Sequence, residues 1–427
     1  MTPLRFGWQL LAAAACIASL LAQDDLRDVV RLKNGQEVRG RVFSRWLPTE
    51  LIVMQGGKRL RLPHAQVVAI DTVRDRTREF FQLSDRLPDH ARHRWFLAEW
   101  ALGKGLVALA HLQAMDIVLR EPDHAEAHTL LGHRLVGKRW LWPHNDEWRS
   151  FEDLERFHAD FGHPWRLEGE HFEVRSNATL RRVVDTALDL ERLYLWWHEV
   201  FGEELGLYEV VGTKLAVQVW RDRSSFNALS SDGHPYFQHR MEGTNEEARC
   251  STYFVAESPE RPTRLFEVAT QHLLYRTLAD DPALQNGHRY CGWGEVGLAQ
   301  YVERRLGGAP GRAQPKPWSL TIDEGRLITT GNEIGLQNLT HRSVRQFHFV
   351  VANDTQYMWA AAHLFTAYLL DGDRGTSARR GFLTYLVQGL RGAKGDSSTT
   401  FDELLGCKIE TLDRPWRKWL TDLMAAL

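Results

Sequence analysis

The hydrophobic period of this chain changes near residue 75, and that change limits what it can fold into. Up to about residue 73 apolar and polar residues alternate, as they do along a half-buried strand. Beyond it apolar residues recur at helical spacing. Val29-Val30-Arg31-Leu32, Glu37-Val38-Arg39-Gly40-Arg41-Val42, Leu51-Ile52-Val53-Met54, Arg59-Leu60-Arg61-Leu62 and Val67-Val68-Ala69-Ile70 read as short, evenly spaced strands. Asn34-Gly35 and Gly56-Gly57 supply turns between them. Asn-Gly is the strongest short hairpin signal because both turn residues must accept a positive φ. Residues 26–73 are therefore predicted to form a small five-stranded β-barrel. Its outward arginines read as a solvated strand face.

Residues 76–150 read as a helical spacer. Ala98, Ala101, Leu102, Leu106, Leu109 and Leu112 share one helical face across 90–119, Glu121-Pro122-Asp123-His124 breaks the pattern, and 125–135 restarts it. Trp140-Leu141-Trp142-Pro143 closes the segment. From about 165 strands return at 171–176, 214–220 and 250–256, with amphipathic helices at 180–201, 264–279, 357–370, 379–390 and 414–426. A short sheet followed by helices is an α+β order. The expected fold class is multidomain α+β: barrel, helical spacer, and a mostly helical third part, 165–427, with a short mixed sheet.

At 427 residues there is room for two to four cores. A net charge of −2 gives no global electrostatic case for nucleic acid. Arg5, an apolar run over 10–22 and then Gln23-Asp24-Asp25 read as a signal peptide, 1–22, which places the chain in the periplasm or outside the cell. The run is too short to span a bilayer, and no later segment is apolar enough to do so. Ala13-Ala14-Ala15-Cys16 allows a second reading, a lipid anchor on Cys16. Cys250, Cys291 and Cys407 would remain after cleavage, an odd and widely spaced set that makes no disulfide framework. Cys250 and Cys291 flank one helix and could pair, although buried free thiols fit their spacing better.

Two later segments carry the chemistry: Leu265-Phe266-Glu267-Val268-Ala269-Thr270-Gln271-His272-Leu273-Leu274-Tyr275 and Trp293-Gly294-Glu295-Val296-Gly297-Leu298-Ala299-Gln300-Tyr301. Together they resemble the active-site helices of zinc metallopeptidases of the gluzincin type. In those enzymes His-Glu-x-x-His places two imidazoles on one helix face and a third ligand comes from a later helix. The resemblance is closest to a bacterial family of exported gluzincin-like proteins (the DUF1570 group) and covers roughly 165–427. It includes Tyr357-Met358-Trp359-Ala360, Phe401…Leu404-Leu405-Gly406 and Trp416…Trp419-Leu420. The first part of the chain resembles SH3-like and Sm-like barrels, and its helix pair one tetratricopeptide unit, which alone serves as a spacer. On this alignment the ligand positions hold Glu267, Gln271 and Val296, and the general-base position holds Val268. The resemblance thus implies a metallopeptidase scaffold whose zinc site is lost. Shifting the register by one residue makes Glu267 the base but loses the ligands as well.

A rewired metal site would draw on Glu267, His272, His288 and Glu295, but Glu267 and His272 are five apart, roughly 140° around a helix. Glu267 is either a relic with a raised pKa in a cleft or a structural carboxylate paired with an arginine such as Arg264. His234, His239 and Glu242 form a weak loop cluster. Gluzincin-type domains hold an extended peptide beside an edge strand. The strand expected here is Ser251-Thr252-Tyr253-Phe254-Val255, with Tyr253, Trp293, Glu295 and Tyr301 lining the cleft. The expected function is an exported pseudopeptidase that binds or scaffolds a peptide or envelope protein, with no cofactor. The alternatives are an active zinc peptidase with relocated ligands and a purely structural envelope protein.

Overall fold

The computed structural model describes residues 27–227, 235–238, 249–256, 261–278, 292–306, 328, 336–340, 352–372, 376–390 and 397–426. Residues 1–22, read above as a signal peptide, and with them Cys16, as well as His234, His239, Glu242, His288 and Cys291 lie outside them. The architecture is mixed α+β, and among the described residues no helix is long and apolar enough to cross a membrane.

β1 (Asp28–Leu32), β2 (Glu37–Ser44), β3 (Glu50–Gln55), β4 (Lys58–Pro63) and β5 (Val67–Asp71) form an antiparallel sheet in the order β4-β3-β2-β1-β5. Alternation puts Val30, Val42, Leu51, Val53 and Leu62 into one core. The two predicted turns exchange roles. Gly56 and Gly57 both take positive φ between the paired Gln55 and Lys58, the two-residue geometry expected of Asn34-Gly35. At the first turn only Gly35 is left-handed, while the Asn34 side chain accepts from the Gln36 amide at 3.0 Å.

α1 (Val73–Arg86), α2 (Ala91–Gly103), α3 (Val107–Arg120) and α4 (Ala125–Leu130) follow. The 90–119 stretch is two helices, because Lys104-Gly105-Leu106 turns the chain with Gly105 at φ 71°. The spacer is not wholly helical. β6 (Arg134–Val136), β7 (Arg139–His144) and β8 (Glu147–Arg149) make a three-stranded antiparallel sheet, turned at Gly137 and at Asn145. Both residues take the left-handed conformation that such tight turns require.

After α5 (Phe151–His158) comes a second sheet of β9 (Trp165–Glu168), β10 (Phe172–Ser176), β11 (Leu215–Trp220), β12 (Tyr236–Gln238) and β13 (Arg249–Tyr253). Its order is β12-β13-β11-β10-β9, with β10, β11 and β13 parallel and the outer strands antiparallel. α6 (Leu180–Leu205) is the crossover between β10 and β11, ending where Gly206 turns left-handed. α7 (Arg223–Asn227) is short. The helical remainder comprises α8 (Leu265–Thr277), α9 (Gly292–Leu306), α10 (Leu336–Thr340), α11 (Ala352–Asp371), α12 (Thr376–Leu390), α13 (Ser397–Leu405) and α14 (Asp413–Ala426).

The first sheet is tied to the rest by buried polar groups. Asp28 accepts the Val42 and Val73 amides, both at 2.7 Å, joining β1 to β2 and to the start of α1. Phe43 stacks on Tyr208 at 4.8 Å, and its carbonyl accepts from the Glu209 amide at 2.8 Å. Arg74 of α1 pairs with Glu209 at 2.7 Å, and Tyr194 of α6 donates to the same carboxylate at 2.8 Å. Burial opposes ionisation of Glu209, but His198, Arg74 and Arg45 outweigh it and hold the pKa down to about 2.

Candidate functional site

The start of α8 is built from charges. Arg264, just ahead of the helix, sits at φ 53° and ψ 31°, a left-handed conformation that costs a side-chain-bearing residue about 1–2 kcal/mol. The turn brings its guanidinium back onto Glu267. Nε donates to Oε2 at 2.6 Å and Nη2 to Oε1, while Cζ lies 4.7 Å from the Trp359 ring centre. Glu267 is only 4% exposed. From α9, Glu303 reaches across and accepts the Phe266 and Glu267 amides at 2.7 and 3.0 Å. A carboxylate from another helix therefore caps the positive end of α8. Arg261 closes the set, 3.3 Å from Glu303 and stacked on Phe266 at 4.6 Å.

Two carboxylates and two guanidiniums leave this site neutral. Burial alone would lower the Arg264 pKa, but Glu267 and Glu303 turn the shift upward and keep the guanidinium charged. Burial raises Glu303, with Arg261 and the two amides pulling the other way. Glu267, which the resemblance aligns with a first zinc ligand, is thus already taken up by a permanent cation. The base position, Val268, and the third ligand position, Val296, are buried hydrocarbon, 1% and 2% exposed. Gln271 is half-buried on α8. These residues do not fit zinc, which needs three converging nitrogen, sulfur or oxygen ligands. Among the described residues no group of three or more His, Cys, Asp or Glu side chains is placed to hold a metal. His272, the histidine of the rewired set, is buried in α8, and burial with nearby Arg276 drives its pKa down to about 3.

The expected cleft residues divide. Trp293 lines no cleft. It is fully buried, with Phe365, Phe382, Tyr385 and Phe401 between 5.3 and 5.9 Å from its ring centre. Tyr301 is also buried and donates to Asp371 at 3.0 Å, and burial followed by Asp371 raises its pKa. Tyr253 packs on Phe226 at 4.8 Å in a satellite cluster with Trp220. Glu295 is half-buried on α9. The strand expected at the sheet edge is not there either, because β13 pairs with β11 on one side and β12 on the other. Cys250, on that strand, is a free and fully buried thiol whose pKa burial raises.

Sequence reasoning missed Glu303 and Arg261. Neither belongs to a local motif, and Glu303 caps a helix 36 residues earlier in the chain. Neither a protein-family model nor a curated protein matches this chain.

Proposed function

We propose that the part of the chain from 165 to 427 is a non-hydrolytic binding module on a metallopeptidase-like scaffold, exported and engaged with a peptide or protein of the cell envelope. The observation that carries the proposal is the Arg264–Glu267 pair. Hydrolysis by a zinc peptidase needs a metal-bound water and a carboxylate free to take its proton. Here the nearest carboxylate is neutralised by an arginine three residues away, and the base position is a valine. An apolar side chain accepts no proton, so the segment supplies packing where an enzyme would supply chemistry.

Binding by β-augmentation remains open to such a module. β12 is the outermost strand of the second sheet among the described residues, three residues long, with β13 on its inner side. An extended peptide laid along β12 would gain backbone hydrogen bonds without any reacting group. The test is to incubate the mature protein with an immobilised library of extended peptides, and separately with quenched peptide substrates and equimolar zinc. Micromolar capture without cleavage is expected. Chelator-sensitive hydrolysis, or no capture at all, overturns the proposal.

A further inference from the structure

A cavity of about 600 Å³ lies away from the α8–α9 site, walled by α1, α2, α3 and α6. Its volume is in the range of small-molecule sites, roughly 300–1,000 Å³. Charge is distributed unevenly around it. On one side Asp116, 5% exposed, meets three guanidiniums: Arg94 at 3.0 Å, Arg120 at 3.0 Å, and Arg181. Asp89 also meets Arg94, and lies 3.7 Å from Arg120. Three guanidiniums crowd that end, offset by Asp116 and Asp89 in contact and by Glu121 and Asp185 at longer range. It is a costly arrangement, because partly buried like charges repel through a medium that screens them weakly.

The α6 wall carries a carboxylate with no such contact. Asp185, half-buried, makes no hydrogen bond or salt bridge among the described residues. Arg181, one helical turn earlier, reaches Asp116 instead. Asp189, 8% exposed, adds a second carboxylate one turn further on. Arg182 lies over the Phe254 ring at 5.0 Å rather than on Asp185. Burial raises the Asp185 pKa, with Asp116 adding to it and Arg181 opposing, as expected of a carboxylate with no close partner. His93 lines the same space, and its buried Nδ1 meets no hydrogen-bond partner among the described residues.

We infer that this cavity is a site for a small zwitterion, a free amino acid or short peptide, whose carboxylate settles among Arg94, Arg120 and Arg181 and whose ammonium meets Asp185. The arginine fork suits a carboxylate because its paired N–H groups match the two oxygens. An ammonium beside Asp185 supplies the direct hydrogen-bonded partner that the helix does not. His93 Nδ1 is left to bond a peptide group.

The mature full-length protein tests this. A dipeptide library is screened by thermal shift, and its best member is titrated calorimetrically alongside its N-acetylated form, its C-terminal amide and inorganic phosphate. The free dipeptide should raise the midpoint, and each capped form should bind at least tenfold more weakly. Asp185→Asn, nearly isosteric, should weaken the free dipeptide at least tenfold yet leave the N-acetylated form unchanged. Arg120→Gln, at a half-exposed position, should likewise abolish discrimination against the amide. No binding by any dipeptide at millimolar concentration would overturn the inference. So would phosphate binding as tightly as the dipeptide, or an Asp185→Asn protein that binds like the parent.

Discussion

Removing the Arg264 guanidinium asks whether Glu267 is a structural carboxylate. In Arg264→Ala the Glu267 carboxylate, 4% exposed in the parent, loses both charged donors. Stranding one partner of a buried pair costs about 3–5 kcal/mol. Arg264→Gly loses the same pair but relieves the left-handed backbone at φ 53°, so it should be about 1 kcal/mol less destabilised than the alanine protein. Glu267→Gln in the Arg264→Ala background removes the stranded charge and should recover about 2 kcal/mol or more, a coupling typical of side chains in direct contact. Hydrogen exchange of the α8 peptide reads the local opening energy, and denaturant unfolding gives the global effect. An Arg264→Ala protein within about 1 kcal/mol of the parent, the range of an ordinary surface substitution, would refute the reasoning.

Trp293→Ala should cost about 3–5 kcal/mol in denaturant unfolding, because four aromatic rings lose their shared neighbour; peptide capture per folded molecule should not change. Gly297→Ala should cost about 1–3 kcal/mol by thermal unfolding, since a Cβ there would stand 2.3 Å from Thr366 Oγ1 and 2.5 Å from the Ala362 carbonyl oxygen. Stability should fall with acid. Burial holds His133, His198 and His272 near pKa 3, well below their unfolded values, so the unfolded chain binds protons that the folded chain refuses. Stability is then fully present above about pH 6.5 and is lost as pH falls toward 3. Urea midpoints across that window should drop, with a shallower slope in His198→Gln. A flat profile from pH 7 to 4 would contradict the assignment.

Much of the fold was legible because each element carried its own local signal. The five N-terminal strands lie within two residues of their predicted ends, since alternation and glycine turns act over a few residues. The sheet at 134–149 was hidden by its own composition. Leu135, Trp140 and Trp142 suit a helix face as well as a strand, and the cues were Gly137-Lys138 and Asn145-Asp146, each a two-residue turn between paired strands. The misplaced sheet edge has a different origin. β12 is three residues long, too short for a periodicity, and it alone moves β13 from the edge to the interior.

At the site the i, i+3 spacing of Arg264 and Glu267 could be read directly, and it is the contact that matters most. The capping by Glu303 could not, because its target is reached only after two helices pack. Trp293 shows the limit of residue type as evidence, since a tryptophan beside a motif is equally at home in a wall or a core. The charged cavity was missed for a related reason. Arg181, Asp185 and Asp189 repeat every four residues on α6, a pattern that on an isolated helix reads as a solvated face. Only the packing of α1 and α3 against α6 turns that face into the wall of a cavity.

Metal content tests the central claim most directly. The purified protein, dialysed against trace zinc and then against buffer alone, is measured by elemental mass spectrometry. With Arg264 on Glu267 and valines at the positions that the resemblance aligns with a base and a third ligand, well below one equivalent of zinc should remain. Close to one tightly held equivalent, lost together with hydrolytic activity on chelation, would show that the chain assembles a metal centre from other residues and that the non-hydrolytic account is wrong.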